Sequence, residues 1–247
     1  MAIIEVGSIN NFSVSVKKDI PEASMLESVS TFSELDQVSK SIEPNSFELI
    51  TSKDQRGLYL KKLKLEKGFG GFLNNLLGST NNIYFIAWAW DLSGEPVNLY
   101  PGKDVQPESV LIPMKAGNVR EFIGNGIVLF PKRYVKGGIA LRIQIWESDQ
   151  EIRKFGKAVN DTSEAIKNSK LNNLLSLISL GTGVSGVTIS LVKDAAIELG
   201  GIIGTILKSN GDDYVDFFEG YYSSDDEWIK KDEIYKGNSS QMTLQKN

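Results

Sequence analysis

Three aspartates near the C-terminus are the clearest metal-binding candidates in this sequence. Asp212, Asp213 and Asp216 follow a Ser-Asn-Gly turn at positions 209–211, and carboxylate oxygens are the ligands that Ca²⁺ prefers. These residues therefore predict Ca²⁺ as a candidate cofactor. The complete calcium-loop pattern of an EF-hand is absent, and residues 210–234 hold nine acidic residues against two lysines. A solvated acidic face explains the same residues and is the simpler interpretation.

A second set of polar residues has the spacing of one helical face. Between positions 184 and 208 these residues recur every three or four positions, and the remainder is mostly Val, Ile, Leu and Ala. We call them the polar stripe: Ser190, Asp194, Glu198, Gly201, Thr205 and Lys208. A helix this apolar must be largely covered. The stripe then faces solvent, the water-filled lumen of a membrane-inserted oligomer, or another subunit.

Glycines mark both ends of this segment. Gly181, Gly183 and Gly186 form a literal G-x-G-x-x-G pattern, which in dinucleotide-binding proteins follows a strand and opens a helix. The chain that follows is too short to complete a doubly wound sheet, so these glycines predict a turn between two helices. Gly200 and Gly204 are four residues apart and predict a close approach to a neighbouring helix.

Two absences in the 247-residue chain exclude several kinds of chemistry. It contains no His and no Cys, which removes Ser-His-Asp and Cys-His nucleophiles, disulfides and Cys/His zinc sites. Carboxylate-pair hydrolysis stays open, because such pairs form only in three dimensions. The net charge of −4 argues against nucleic-acid binding. No secretory signal is visible, which predicts a cytoplasmic protein by default, or one exported by a signal-independent route.

Hydrophobic periodicity then defines the elements that position these residues. Alternating or continuous apolar runs predict strands at 2–6, 12–18, 47–50, 57–67, 83–90, 119–130, 138–146 and 242–244, and an aromatic strand at 214–222. The helical period predicts one helix at about 24–42, a long helix from about 148 to 180, and another from about 184 to 208.

The order of these elements predicts an α+β fold. It is an antiparallel β-sandwich, or a partly open barrel, with a long α-helical hairpin inserted before the last strands. Residues 1–147 form the β-rich part with its N-terminal helix, 148–208 the hairpin, and 209–247 an acidic β tail that packs back on the sandwich. The three parts are expected to form one domain.

Three functions are compatible with this organisation. The first is a non-enzymatic protein whose hairpin serves self-assembly or binding of a protein partner, which the weakness of every catalytic motif favours. The second is a membrane-active, toxin-like protein of the pore-forming kind, whose hairpin at 171–207 inserts into a bilayer. The third is a carboxylate-dependent hydrolase.

Overall fold

A computed structural model describes residues 3–5, 48–68, 80–102, 105–148, 152–180, 186–209 and 211–247. It has the predicted α+β architecture, in which two antiparallel sheets pack face to face and helices cover the outer face of the larger sheet. The predicted strand at 12–18 and the predicted helix at 24–42 lie outside the described residues.

Eleven strands and four helices occur within the described residues. The strands are β1 (Ile3–Glu5), β2 (Arg56–Leu65), β3 (Asn81–Trp90), β4 (Asn98–Tyr100), β5 (Ile112–Met114), β6 (Val119–Glu121), β7 (Ile127–Arg133), β8 (Gly138–Glu147), β9 (Asp213–Ser223), β10 (Asp232–Lys236) and β11 (Ser240–Lys246). The helices are α1 (Pro107–Val110), α2 (Ile152–Lys167), α3 (Lys170–Leu180) and α4 (Gly186–Ser209). The larger sheet has the order β1-β9-β8-β3-β4, with β5 also on β3, and the smaller has β10-β11-β2-β6, with β7 also on β2.

The core between the two sheets follows from the two-residue period of the strands. Ile139, Leu141, Ile143 and Ile145 of β8 point into the sandwich, where they meet leucines of β2. Strand β3 is apolar on both faces, as expected for a strand covered on both sides. One face of β3 enters the sandwich core, and the other, which includes Trp88, lies under the helices.

The helices are inserted between two strands that are neighbours in the sheet. Strand β9 pairs antiparallel with β8 over the full length of β8, from Gly138 opposite Ser223 to Glu147 opposite Asp213. The aromatic tail strand therefore returns to the sheet that the chain left at residue 147. This confirms the hairpin as an insertion before the last strands.

Two predicted elements are interrupted. The long helix predicted for 148–180 is two helices, because Ser169 acts as an N-cap: its hydroxyl accepts a hydrogen bond from the Asn172 backbone N–H at 3.1 Å. The strand predicted for 119–130 divides into β6 and β7, with Gly124 and Gly126 at positive φ between them. Residues 48–50, in the segment predicted as a strand at 47–50, form only an isolated bridge at Leu49.

Candidate functional site

Helix α4 is fixed to the larger sheet by one apolar face. Val192, Ala196, Leu199, Ile203 and Leu207 are buried and join the cluster that covers this face of the sheet. They recur at intervals of three or four residues, so they occupy one side of the helix. Burial of each large aliphatic side chain contributes about 1.5–3 kcal/mol. The apolar content of the hairpin is therefore used mainly to hold the helical layer on the sheet.

A buried ion pair lies between this helix and the sheet. The Arg142 guanidinium donates hydrogen bonds to the Glu219 carboxylate at 2.9 and 3.1 Å, and to the Ala196 carbonyl of α4 at 2.7 Å. Burial lowers the pKa of Arg142, whereas the adjacent Glu219 carboxylate raises it. The pair links two neighbouring strands to the helix, and Arg142 also lies over the rings of Trp88 and Phe217.

One of the hairpin glycines, Gly200, lies against the sheet. A Cβ built on Gly200 would lie 2.4 Å from Arg142 Nη1, so the absence of a side chain allows an approach to the sheet rather than to a helix. A Cβ on Gly204 would have no described atom within 4 Å. Gly200 therefore packs against the sheet, and the predicted close approach of another helix at Gly204 stays a prediction. Gly186 is the first residue of α4, and Gly181 and Gly183 lie outside the described residues.

The polar stripe lies on the outside of the helical layer. Ser190, Asp194, Glu198, Thr205 and Lys208 are all exposed, on the side of α4 opposite its buried residues. The Thr205 hydroxyl donates a hydrogen bond to the Gly201 carbonyl at 2.9 Å, and Lys170 of α3 forms an ion pair with Glu198 at 3.0 Å. The structure therefore brings the five predicted residues onto one accessible surface.

Two isoleucines on α4 are missing from the sequence-based prediction of this surface. Ile197 is 47% exposed and Ile202 is 43% exposed, although the apolar circumference of the helix predicts that both are covered. The spacing contained the signal, because Ile197 lies within one helical turn of both Asp194 and Gly201. The outer face of α4 thus combines polar, small and apolar side chains.

A groove runs beside this face, at the break between α2 and α3. It has a volume of about 460 Å³, and Asp161, Glu164, Asn168, Lys170, Glu198 and Ile202 are among its lining residues. Asp161 forms an ion pair with Lys157 at 2.7 Å on the same helix. The groove holds three carboxylates, but two of them make ion pairs typical of solvated helices, and the hydrolase alternative stays a prediction.

The three aspartates of the predicted calcium site are not brought together. Asp212 accepts a hydrogen bond from the Tyr84 hydroxyl at 2.6 Å on the helical side of the larger sheet. Asp216 accepts hydrogen bonds from the turn at 238–240 of the smaller sheet, at 2.7–3.0 Å, and Asp213 is exposed. The buried carboxylates of Asp212 and Asp216 therefore each hold a different part of the C-terminal tail in place. Within the described ranges no group of three or more acidic residues could hold a metal ion.

None of the helices in the described part of the chain is long and apolar enough to cross a membrane. Comparison of the sequence with protein-family models, with curated proteins and with solved structures gives no match.

Proposed function

We propose that this protein is a non-enzymatic assembly module that forms a homodimer through the outer face of α4. The observation that carries the proposal is the arrangement of charges on this face. Asp194 and Lys208 are both exposed, and they lie seven residues before and seven residues after Gly201. Seven residues are close to two helical turns, so all three lie in line along the helix.

This arrangement is self-complementary when two copies of α4 pack antiparallel. With the twofold axis at Gly201, Asp194 of each copy faces Lys208 of the other. A symmetric dimer uses the same patch on both subunits, so one complementary pair is repeated twice. Parallel packing would instead place Asp194 against Asp194 and Lys208 against Lys208, which is unfavourable.

The centre of the same face allows two helices to approach closely. A Cβ built on Gly201 or on Gly204 would contact no described atom within 4 Å, so the space above both residues is open. Ile197 faces Thr205 of the second copy in the antiparallel arrangement, and dimerisation would cover its exposed half. Helices with small residues at the contact reach the short end of the 8–10 Å range of interaxial distances.

The expected dimer is weak, because one helix pair lies at the low end of stable interface sizes. We expect a dissociation constant on the order of micromolar to tens of micromolar. Sedimentation velocity over about 5–500 µM should therefore follow a monomer–dimer equilibrium. A strict monomer throughout this range would contradict the proposal.

A charge reversal tests the orientation of the two helices. Asp194→Lys and Lys208→Asp should each weaken the dimer about tenfold, because each variant places like charges opposite one another. Combining both substitutions in one chain should restore it, since opposite charges face each other again. Lys115→Asp, at an exposed position between β5 and β6, is the matched control and should leave dimerisation unchanged. Failure of the double variant to recover would exclude the antiparallel arrangement.

A further inference from the structure

A short loop projects from the edge of the smaller sheet. Strands β6 and β7 both pair with β2, where Glu121 lies opposite Lys62 and Ile127 lies opposite Leu60. Between these two pairs, β2 advances by two residues, whereas the segment from β6 to β7 advances by six. Residues 122–126, which we call the edge loop, leave the sheet and return to it, like an enlarged β-bulge.

Contacts with β2 and β3 anchor the edge loop, and its tip is apolar. The Phe122 N–H donates to the Lys61 carbonyl at 2.9 Å, and the Phe122 ring lies edge-on to Phe85. Lys61 Nζ donates to the Gly124 carbonyl. Between these anchors Ile123 is 100% exposed. Val119 and Val128, on the flanking strands, are also exposed.

The surroundings of the edge loop are basic. Residues 60–66 and 115–126 together hold five basic and two acidic residues, a net charge of +3 in a chain whose net charge is −4. The two acidic residues form ion pairs, Glu121 with Lys62 at 2.6 Å and Glu66 with Lys64 at 2.9 Å. Lys115 and Arg120 are exposed. This edge would therefore attract a negatively charged surface, although the protein as a whole is acidic.

We infer that the edge loop is a peripheral binding site for a membrane surface that carries anionic lipid headgroups. Basic side chains near such a surface attract the headgroups, and an apolar side chain beside them enters the boundary with the acyl chains. A nucleic acid would account for the basic residues, but it uses an apolar side chain such as Ile123 only as a wedge between the base pairs of a kinked duplex. The fully exposed isoleucine at the tip therefore favours a lipid surface.

Vesicle binding of a site-labelled protein tests the inference. The chain has no native cysteine, so Ile123→Cys can carry one environment-sensitive dye. We expect a blue shift of its emission with vesicles that contain about 30% phosphatidylserine, and none with pure phosphatidylcholine vesicles. The shift should be lost when the salt concentration rises from about 0.05 M to about 0.5 M. The same dye on Ile234→Cys, an exposed position on β10, should report no shift.

Co-sedimentation of unlabelled protein with the same vesicles tests the role of the tip. Ile123→Asp should lower the partition coefficient about tenfold, and Ile234→Asp should leave it unchanged. Equal binding to neutral vesicles, or undiminished binding by Ile123→Asp, would overturn the inference. Tighter binding to single-stranded DNA than to the anionic vesicles would overturn it in favour of a nucleic-acid partner. Asp194→Lys, which disrupts the proposed dimer, should still bind vesicles, so the two proposals fail separately.

Discussion

Replacement of Glu219 by Gln should destabilise the protein far more than the loss of a typical ion pair. The Glu219 and Arg142 side chains are only 14% and 7% exposed, and the substitution leaves the guanidinium charge buried beneath α4. Removal of one member of such a pair costs about 3–5 kcal/mol. For a chain of this length that corresponds to a fall in Tm of roughly 6–20 °C.

Urea unfolding monitored by circular dichroism measures this cost. The matched control is Glu198→Gln, which breaks an ion pair whose side chains are 45% and 48% exposed and should cost less than about 1 kcal/mol. The double variant Arg142→Met/Glu219→Leu should recover most of the stability, because no unpaired charge then remains. Equal costs for Glu219→Gln and Glu198→Gln would refute the assignment of this pair as the buried link to α4.

Three further variants and one change of pH test other contacts of the structure. Gly200→Ala should lower the unfolding free energy by about 1–3 kcal/mol, because its Cβ would displace the Arg142 guanidinium from its hydrogen bonds to Glu219 and Ala196. Gly204→Ala should raise it by up to about 1 kcal/mol. Asp216→Ala should cost about 1.5–3 kcal/mol, because it removes the acceptor for the 238–240 turn. Burial raises the pKa of Tyr84 and of Tyr222, so stability should fall as the pH rises above about 10.

Each of these outcomes can be contradicted by a simple measurement. If urea titrations show that Gly200→Ala and Gly204→Ala change the unfolding free energy in the same direction, the different surroundings assigned to these two glycines are contradicted. An unchanged unfolding midpoint for Asp216→Ala would show that the turn does not depend on the carboxylate. For the tyrosines, the unfolded chain loses phenolic protons near pH 10 while the folded chain keeps those of Tyr84 and Tyr222. The fall in unfolding free energy above about pH 10 should therefore be smaller in the Tyr84→Phe/Tyr222→Phe variant, and an unchanged pH dependence would contradict the assignment.

The regular elements were predictable because their residues repeat with the period of the structure they form. The alternation of Ile139, Leu141, Ile143 and Ile145 identifies both β8 and the face that enters the sandwich core, although the other face of β8 is buried as well. The helical period after residue 148, followed by the aromatic run at 214–222, predicts a helical insertion between strands. These patterns result from burial, which acts on every residue of an element and therefore leaves a redundant signal.

The helical spacing also predicted the polar stripe, whereas the interruptions, the positions of the buried aspartates and the packing of Gly200 depended on single contacts and were not predictable. The sequence around Ser169 is compatible with the middle of a helix, and only the hydrogen bond from the Asn172 N–H identifies this serine as an N-cap. Asp212 and Asp216 are close in sequence, yet they bind groups on opposite sides of the larger sheet. Gly200 gives no sequence signal for Arg142, because the two residues meet only after the strand and the helix have packed.

Crosslinking between single-cysteine variants tests the proposed α4 dimer most directly. Asp194→Cys and Lys208→Cys proteins are prepared separately, carry different affinity tags, and are treated with a short bis-maleimide alone or mixed. The antiparallel dimer predicts that the mixture crosslinks mainly between position 194 of one chain and position 208 of the other, and that neither protein alone forms more than a trace of homodimer. Preferential crosslinks between two copies of the same variant, or no crosslinks at about 100 µM protein, would contradict it.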